Sequence, residues 1–276
     1  MPNREKLKNL TQACLAEFIG TALFLFLGIG ALCASFLAGV QLSHWEVALI
    51  WGLAVTIAIY LTSGTSGAHL NPAVTIALFT FGGFQRHKVL PYIASQLLGA
   101  LFGAAIVYAI YQGLFLEWEL QNGVVRSNPE AMASAALFGT FPHKSLSVSG
   151  AFIVEFLITC ILMGMILAIT DERNGAAKGA LAPLLIGVVV AVIGAATGPL
   201  TGFAMNPARD FGPKLFMALN GWGAQVFYDG AGSLYLWVPI VAPIAGALTG
   251  ALLYRFMRGQ VRVGASAAEI VAGKTA

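Results

Sequence analysis

Six stretches of this 276-residue chain are apolar over spans of membrane-crossing length, at about 12–38, 46–63, 89–112, 148–170, 180–198 and 234–256. A crossing helix needs about 20 predominantly apolar residues. After the second stretch, and again after the fifth, the pattern breaks into Gly, Pro and polar residues too mixed for an ordinary span. Both breaks carry one motif, Ser66-Gly67-Ala68-His69-Leu70-Asn71-Pro72-Ala73 and Thr201-Gly202-Phe203-Ala204-Met205-Asn206-Pro207-Ala208-Arg209. Asn is a strong N-cap and Pro is favoured at the first helical position, so each Asn-Pro-Ala predicts a helix start. Short helices are expected over about 71–80 and 206–219. The segment 113–147, with Glu117, Glu119, Arg126 and Asn128-Pro129, reads as a polar connection, and the tail beyond Met257 lacks apolar periodicity and reads as mobile.

The halves repeat. Ala16-Glu17-Phe18 in the first span is echoed by Val154-Glu155-Phe156 in the fourth, at a separation matching that of Asn71 and Asn206 to within three residues. With three spans per half, the second copy must lie inverted relative to the first. The expected fold is an all-α membrane protein: six transmembrane helices and two re-entrant half-helices in an inverted repeat. The expected organisation is an N-terminus of 1–11, a repeat of about 12–112, a connection of about 113–147, a repeat of about 148–256 and a tail of 257–276. A helix starting at mid-membrane exposes bare N–H groups and a positive dipole end, tolerable only around a water-filled cavity. Two such starts in corresponding places point to a pore.

Composition narrows the class. Hydrophobic residues make up 58% and charged residues 10% of the chain, which excludes an ordinary soluble protein. The 32 glycines fit helices packed backbone to backbone. Basic residues are scattered singly, so no nucleic-acid surface is expected. Cys14, Cys33 and Cys160 show no metal spacing and read as small buried hydrophobes; no metal or cofactor is expected. No Ser/His/Asp, HExxH or paired-carboxylate pattern supports an enzyme. The basic start followed by a long apolar segment reads as an uncleaved first span. Cytoplasmic termini put eleven basic residues inside (Arg4, Lys6, Lys8, Arg86, Lys88, Arg173, Lys178, Arg255, Arg258, Arg262, Lys274) against Arg126, Lys144, Arg209 and Lys214 outside or in the outer re-entrant segment.

Within the predicted membrane region stand Glu17, Glu155, Arg209 and Asp210. Left unpaired at mid-span, each costs roughly 2.5–3.5 kcal/mol, so each needs a partner or water. Arg209 lies three residues past Asn206, where the first repeat has Val74. It either pairs with Asp210 or an outer-loop partner, or it lines the pore, and the last role suits a fixed guanidinium with five donors and a charge that repels cations. Glu17 and Glu155 form a proton relay or accept bonds from backbone N–H groups of the broken segments; the second role suits their two-fold placement. The carbonyls of Gly67, Ala68 and His69, and of Thr201 and Gly202 in the second copy, are expected to face the channel. His44, His87 and His143 read as surface residues. Trp51 and Phe203 are core aromatics or pore lining.

These residues resemble the major intrinsic protein family of aquaporins, in its glycerol-facilitator branch. The likeness covers about 12–256 and rests on the paired Asn-Pro-Ala motifs, Ala-Glu-Phe in the first span, and the string from Gly198 to Lys214. It implies a homotetramer with one pore per subunit, in a bacterial inner membrane, passing glycerol, small polyols and some water. It implies mid-channel donors at Asn71 and Asn206, within Asn71-Pro72-Ala73 and Asn206-Pro207-Ala208. It implies a selectivity filter of Trp51, Phe203 and Arg209 with Gly194 opposite, where water-selective relatives carry His; it marks Asp210 as a feature of the glycerol branch, expected with Glu17 and Glu155 to scaffold the loops. The alternatives are a water-selective aquaporin and a proton-coupled polyol transporter.

Overall fold

The computed structural model describes residues 2–174 and 179–259, with side chains from Asn9 onward. Lys178, Arg262, Lys274 and most of the tail therefore lie outside the described residues, as do the side chains of Arg4, Lys6 and Lys8. The elements in order are α1 (Pro2–Phe36), α2 (His44–Ser66), α3 (Pro72–Phe81), α4 (Arg86–Asn122), the short α5 (Met132–Ala135), α6 (Val148–Thr170), α7 (Ala182–Thr201), α8 (Pro207–Met217) and α9 (Val238–Met257). Six of these are long and apolar enough to cross a membrane. Among the described residues, extended pairing is limited to one isolated bridge, Tyr228–Leu234.

The helix ends follow local chemistry. Ser43 and Glu46 form a reciprocal capping box at the start of α2. Asn71 and Asn206 cap α3 and α8, their side-chain oxygens accepting from Ala73 N–H and Ala208 N–H at 2.8 and 2.9 Å. Two helices outrun the expected spans by ten residues: α1 begins at Pro2 within the segment read as a terminus, and α4 runs into the segment read as a polar connection, as far as Asn122. Leu, Phe, Trp and Glu there are compatible with a helix, Gln121 bonds Glu117 one turn back at 3.0 Å, and Gly123 in the left-handed region closes the end. Hydropathy marks where a span leaves lipid, and the helix continues beyond that point.

Packing repeats the inversion. α1 packs on α4, and its equivalent α6 packs on α9. Each pair crosses on two glycines one turn apart. A Cβ at Gly99 or Gly103 would collide with the Phe18 or Ala22 carbonyl, and one at Gly246 or Gly250 with the Phe156 or Cys160 carbonyl. α2 and α7 meet between the halves at Gly52 and Gly187. The half-helices are exchanged: α3 packs on α9, and α8 on α4.

Six crossings place the start of α1 and the end of α9 on one face. There Arg255 donates to the Phe81 carbonyl at 2.7 Å, and Asp171 accepts from the Tyr254 hydroxyl at 3.0 Å. Hydrogen bonds from Arg173 hold the Asp171 carboxyl well below the usual carboxylate range.

Candidate functional site

The two broken segments are built alike. In the first, Gly67, Ala68 and Leu70 have positive φ; in the second, Gly202, Phe203 and Met205 occupy the same places with the same sign. Four of these are not glycine, and a left-handed non-Gly residue costs about 1–3 kcal/mol. What offsets that strain is a buried carboxylate behind each loop. Glu17 accepts from the Ser66 hydroxyl at 2.6 Å and from His69 and Leu70 N–H at 2.9 and 2.6 Å. Glu155 accepts from the Thr201 hydroxyl at 2.6 Å and from Ala204 and Met205 N–H, both at 2.9 Å. Each unmet buried donor would cost about 1–3 kcal/mol. Neither carboxylate lines the cavity described next.

With N–H groups turned back to the carboxylates, the loops turn other groups toward a central cavity of about 430 Å³. It is lined by Gly67, Ala68, His69 and Asn71 from the first loop and by Phe203 to Asn206 and Arg209 from the second. Its remaining wall is mostly apolar, from Phe24, Val55, Ile59, Leu162, Ile166, Ile186 and Val190 with Ser63, and it reaches Thr170 and Ala182 near the face that holds the end of α9. Thr201 and Gly202 are not part of this lining. Thr201 is fully buried on Glu155, and Gly202 sits against Thr140.

The two asparagines clasp the loops together. Asn71 Nδ2 donates to the Met205 carbonyl and Asn206 Nδ2 to the Leu70 carbonyl, both at 2.8 Å. An amide has two N–H donors. One of each is used across the two-fold, leaving the other for whatever occupies the cavity.

At the opposite end stand Trp51, Phe203 and Arg209, all buried and all lining the cavity. Trp51 and Phe203 meet edge to face at 6.4 Å, and the Arg209 guanidinium lies 4.1 Å over the indole. Arg209 Nη1 donates to the Phe138 carbonyl at 2.9 Å. Asp210 does not pair with Arg209. It accepts from Thr140 N–H and hydroxyl, both at 2.7 Å, and forms an ion pair with Lys214 at 2.7 Å, both side chains fully buried. Lys214, expected outside or in the outer re-entrant segment, lies on the re-entrant α8 as an internal counter-ion, and the i,i+4 spacing of Asp210 and Lys214 was a signal for it.

Gly194 is buried but does not line the cavity. A Cβ there would stand 2.8 Å from the Phe203 ring, so the glycine makes room for that ring. His44 is exposed, as its reading as a surface residue expected, and its ring Nε2 also bonds the Gly194 carbonyl at 2.9 Å. His69 is held by Thr75 Oγ1 at 3.1 Å and by the rings of Phe84 and Tyr92. The connection contributes Phe138 and Thr140, which carry no sequence signature because their backbone does much of the bonding. Beneath Phe138 lies an aromatic cluster of Tyr108, Phe115, Phe216 and Trp222.

Six crossing helices around a cavity lined by two inverted loops define an integral, multi-pass membrane protein with a passage through its centre. The chain belongs to the Major intrinsic protein family, whose sequence profile matches residues 4–254. It is 54% identical over 248 residues to a glycerol uptake facilitator protein of Haemophilus influenzae, covering 90% of this chain and 94% of that protein. It is 56% identical over 252 residues to a propanediol uptake facilitator of Salmonella typhimurium, covering 91% and 96%. Among solved structures, the aquaglyceroporin from Plasmodium falciparum aligns with a TM-score of 0.77 at 33% identity, covering 89% of this chain and 95% of that one.

Proposed function

We propose that this protein is a passive channel for glycerol and other small uncharged polyols, propanediol among them, that also passes some water and excludes ions and protons. The observation that carries this reading is the two-sided chemistry at one end of the cavity. Trp51 and Phe203 offer apolar surface, and Arg209 offers fixed donors beside them. A polyol has a carbon edge and a hydroxyl edge, and such a site suits both. In this reading the spare N–H groups of Asn71 and Asn206 donate to hydroxyls at mid-path, and the carbonyls of Gly67, Ala68 and His69 accept from them. Each such bond replaces one to water worth about 0.5–1.5 kcal/mol net. The α3 and α8 N-termini, positive ends inward, disfavour a cation where they meet, and Arg209 adds to that barrier. The relatives named as glycerol and propanediol facilitators support the solute class.

The chain works as a homotetramer with one path per subunit, in a bacterial inner membrane with both termini cytoplasmic. Residues 12–256 form the channel unit. Stopped-flow light scattering on proteoliposomes tests the reading. Glycerol and propanediol should enter far faster than through protein-free lipid, urea and longer polyols define the size limit, and the flux should not follow an imposed pH gradient. Water flux alone would assign the water-selective alternative, and flux driven by the pH gradient the coupled transporter.

A further inference from the structure

The aromatic wall rests on glycine twice. The Phe203 ring lies against α7 at Gly194 and Gly198, where an added Cβ would stand 2.8 and 3.2 Å from ring atoms. The Trp51 indole lies against α1 at Gly28. There a Cβ would be 2.5 Å from each of Cδ2, Cε2 and Cε3. Equal distances to those three adjoining atoms put the added carbon over the face of the six-membered ring, so the indole lies flat on the α1 backbone. The Arg209 guanidinium covers an indole face at 4.1 Å. Two groups that close to the ring centre cannot share a face, so Gly28 and Arg209 hold Trp51 between them.

We propose that Gly28 is a specificity-determining position: by lacking a side chain it seats Trp51 back from the path and so sets the clearance between Trp51, Phe203 and Arg209. The proposal rests on the polyol-channel reading above. A methyl at Gly28 needs about 3.5–4 Å to aromatic carbons, so the ring must retreat by on the order of 1 Å. A ring pushed off Gly28 moves against Arg209 and toward the lumen. A three-carbon solute should feel that loss of width far more than water does.

The experiment compares glycerol and water permeability on the same proteoliposomes for the wild type, Gly28→Ala, Gly30→Ala, Trp51→Ala and the double Gly28→Ala/Trp51→Ala. Gly30 is on the same helix with open space around it, which makes it the control. Gly28→Ala should lower the glycerol-to-water ratio about tenfold, Gly30→Ala should leave it unchanged, and Gly28→Ala should have no further effect once Trp51 is Ala. A folded Gly28→Ala protein with an unchanged ratio overturns the proposal, as does an equal effect with or without the indole. Should Gly28→Ala fail to fold, the double variant decides: recovery of folded protein supports the seat, and continued misfolding assigns Gly28 to helix packing and overturns it. A wild type that passes no glycerol defeats the polyol reading instead. Gly28 is then judged on water permeability alone, which Gly28→Ala should lower only while Trp51 is present.

Discussion

Around Asn71 the first half surrounds its loop with neutral groups. Gln96 Nε2 joins the Glu17 shell at 2.8 Å, the Tyr92 hydroxyl donates to the Ser66 carbonyl at 2.9 Å, and α3 is uncharged throughout. Around Asn206 the second half keeps the same carboxylate, cap and backbone turns and adds Arg209, Asp210 and Lys214 on α8. By the repeat these stand where the first half has Val74, Thr75 and Phe79. The halves agree wherever a broken helix must have its backbone satisfied. They differ where one mouth of the cavity carries a fixed charge, Arg209 held by the Phe138 carbonyl, beside an Asp210–Lys214 ion pair that ties α8 to Thr140 of the connection.

Removing the shared anchor should have the largest effect. Glu155→Ala orphans a hydroxyl and two N–H groups, a loss on the order of 5 kcal/mol, read as a lower melting temperature and less monodisperse protein in detergent. Glu17→Ala should cost less, because the unpartnered Gln96 Oε1 can turn to receive an N–H. Equal losses would mean that the anchors are interchangeable. Gln at either position should retain passive glycerol flux, and a folded Gln variant without flux would count against scaffolding.

Next is the ion pair that only the second half has. Lys214→Met leaves Asp210 buried without its cation and should cost about 3–5 kcal/mol in thermal stability. Adding Asp210→Asn should recover much of that, since Asn keeps an acceptor for Thr140. No recovery would place the role of Lys214 elsewhere.

Arg209→Val makes the second half imitate the first at Val74. It removes the donors and a cation–π contact worth about 0.5–2 kcal/mol, and should admit a proton or small-cation leak, seen with a pH dye inside vesicles. Unchanged selectivity in folded protein would make Arg209 structural. The smallest effect is expected from Gly194→His, which drives Phe203 off its seat. A penalty of about 1.4 kcal/mol on the glycerol barrier lowers the glycerol-to-water ratio tenfold. An unchanged ratio would remove Gly194 and its ring from the constriction.

Much of this was legible in the sequence because it is repeated and local. Asn-Pro-Ala names a helix start by itself, and Glu17 and Glu155 announce each other by position. The extent of α4 was not legible, because Glu117, Glu119, Gln121 and Asn122 interrupt the apolar run that marks a span. The bonds of Phe138 and His44 were not legible either: one acts through a backbone carbonyl, the other on a carbonyl of α7, and neither act leaves a trace in residue type. Gly194 was expected to line the filter but stands behind Phe203, and Lys214 was read only for its side of the membrane, since packing decides which residues reach the cavity.

The exchanged bonds between Asn71 and Met205, and between Asn206 and Leu70, bear on how the protein is made. Glu17, Ser66 and Gln96 all belong to the first half, so its loop can settle on its anchor as soon as α4 has emerged. Its asparagine cannot be satisfied then, because its acceptor has not been synthesised. At about 5–20 residues per second, the wait for the second asparagine is on the order of ten seconds. The nascent first half therefore holds an unfinished loop on one carboxylate, and the arrival of the second half completes both together.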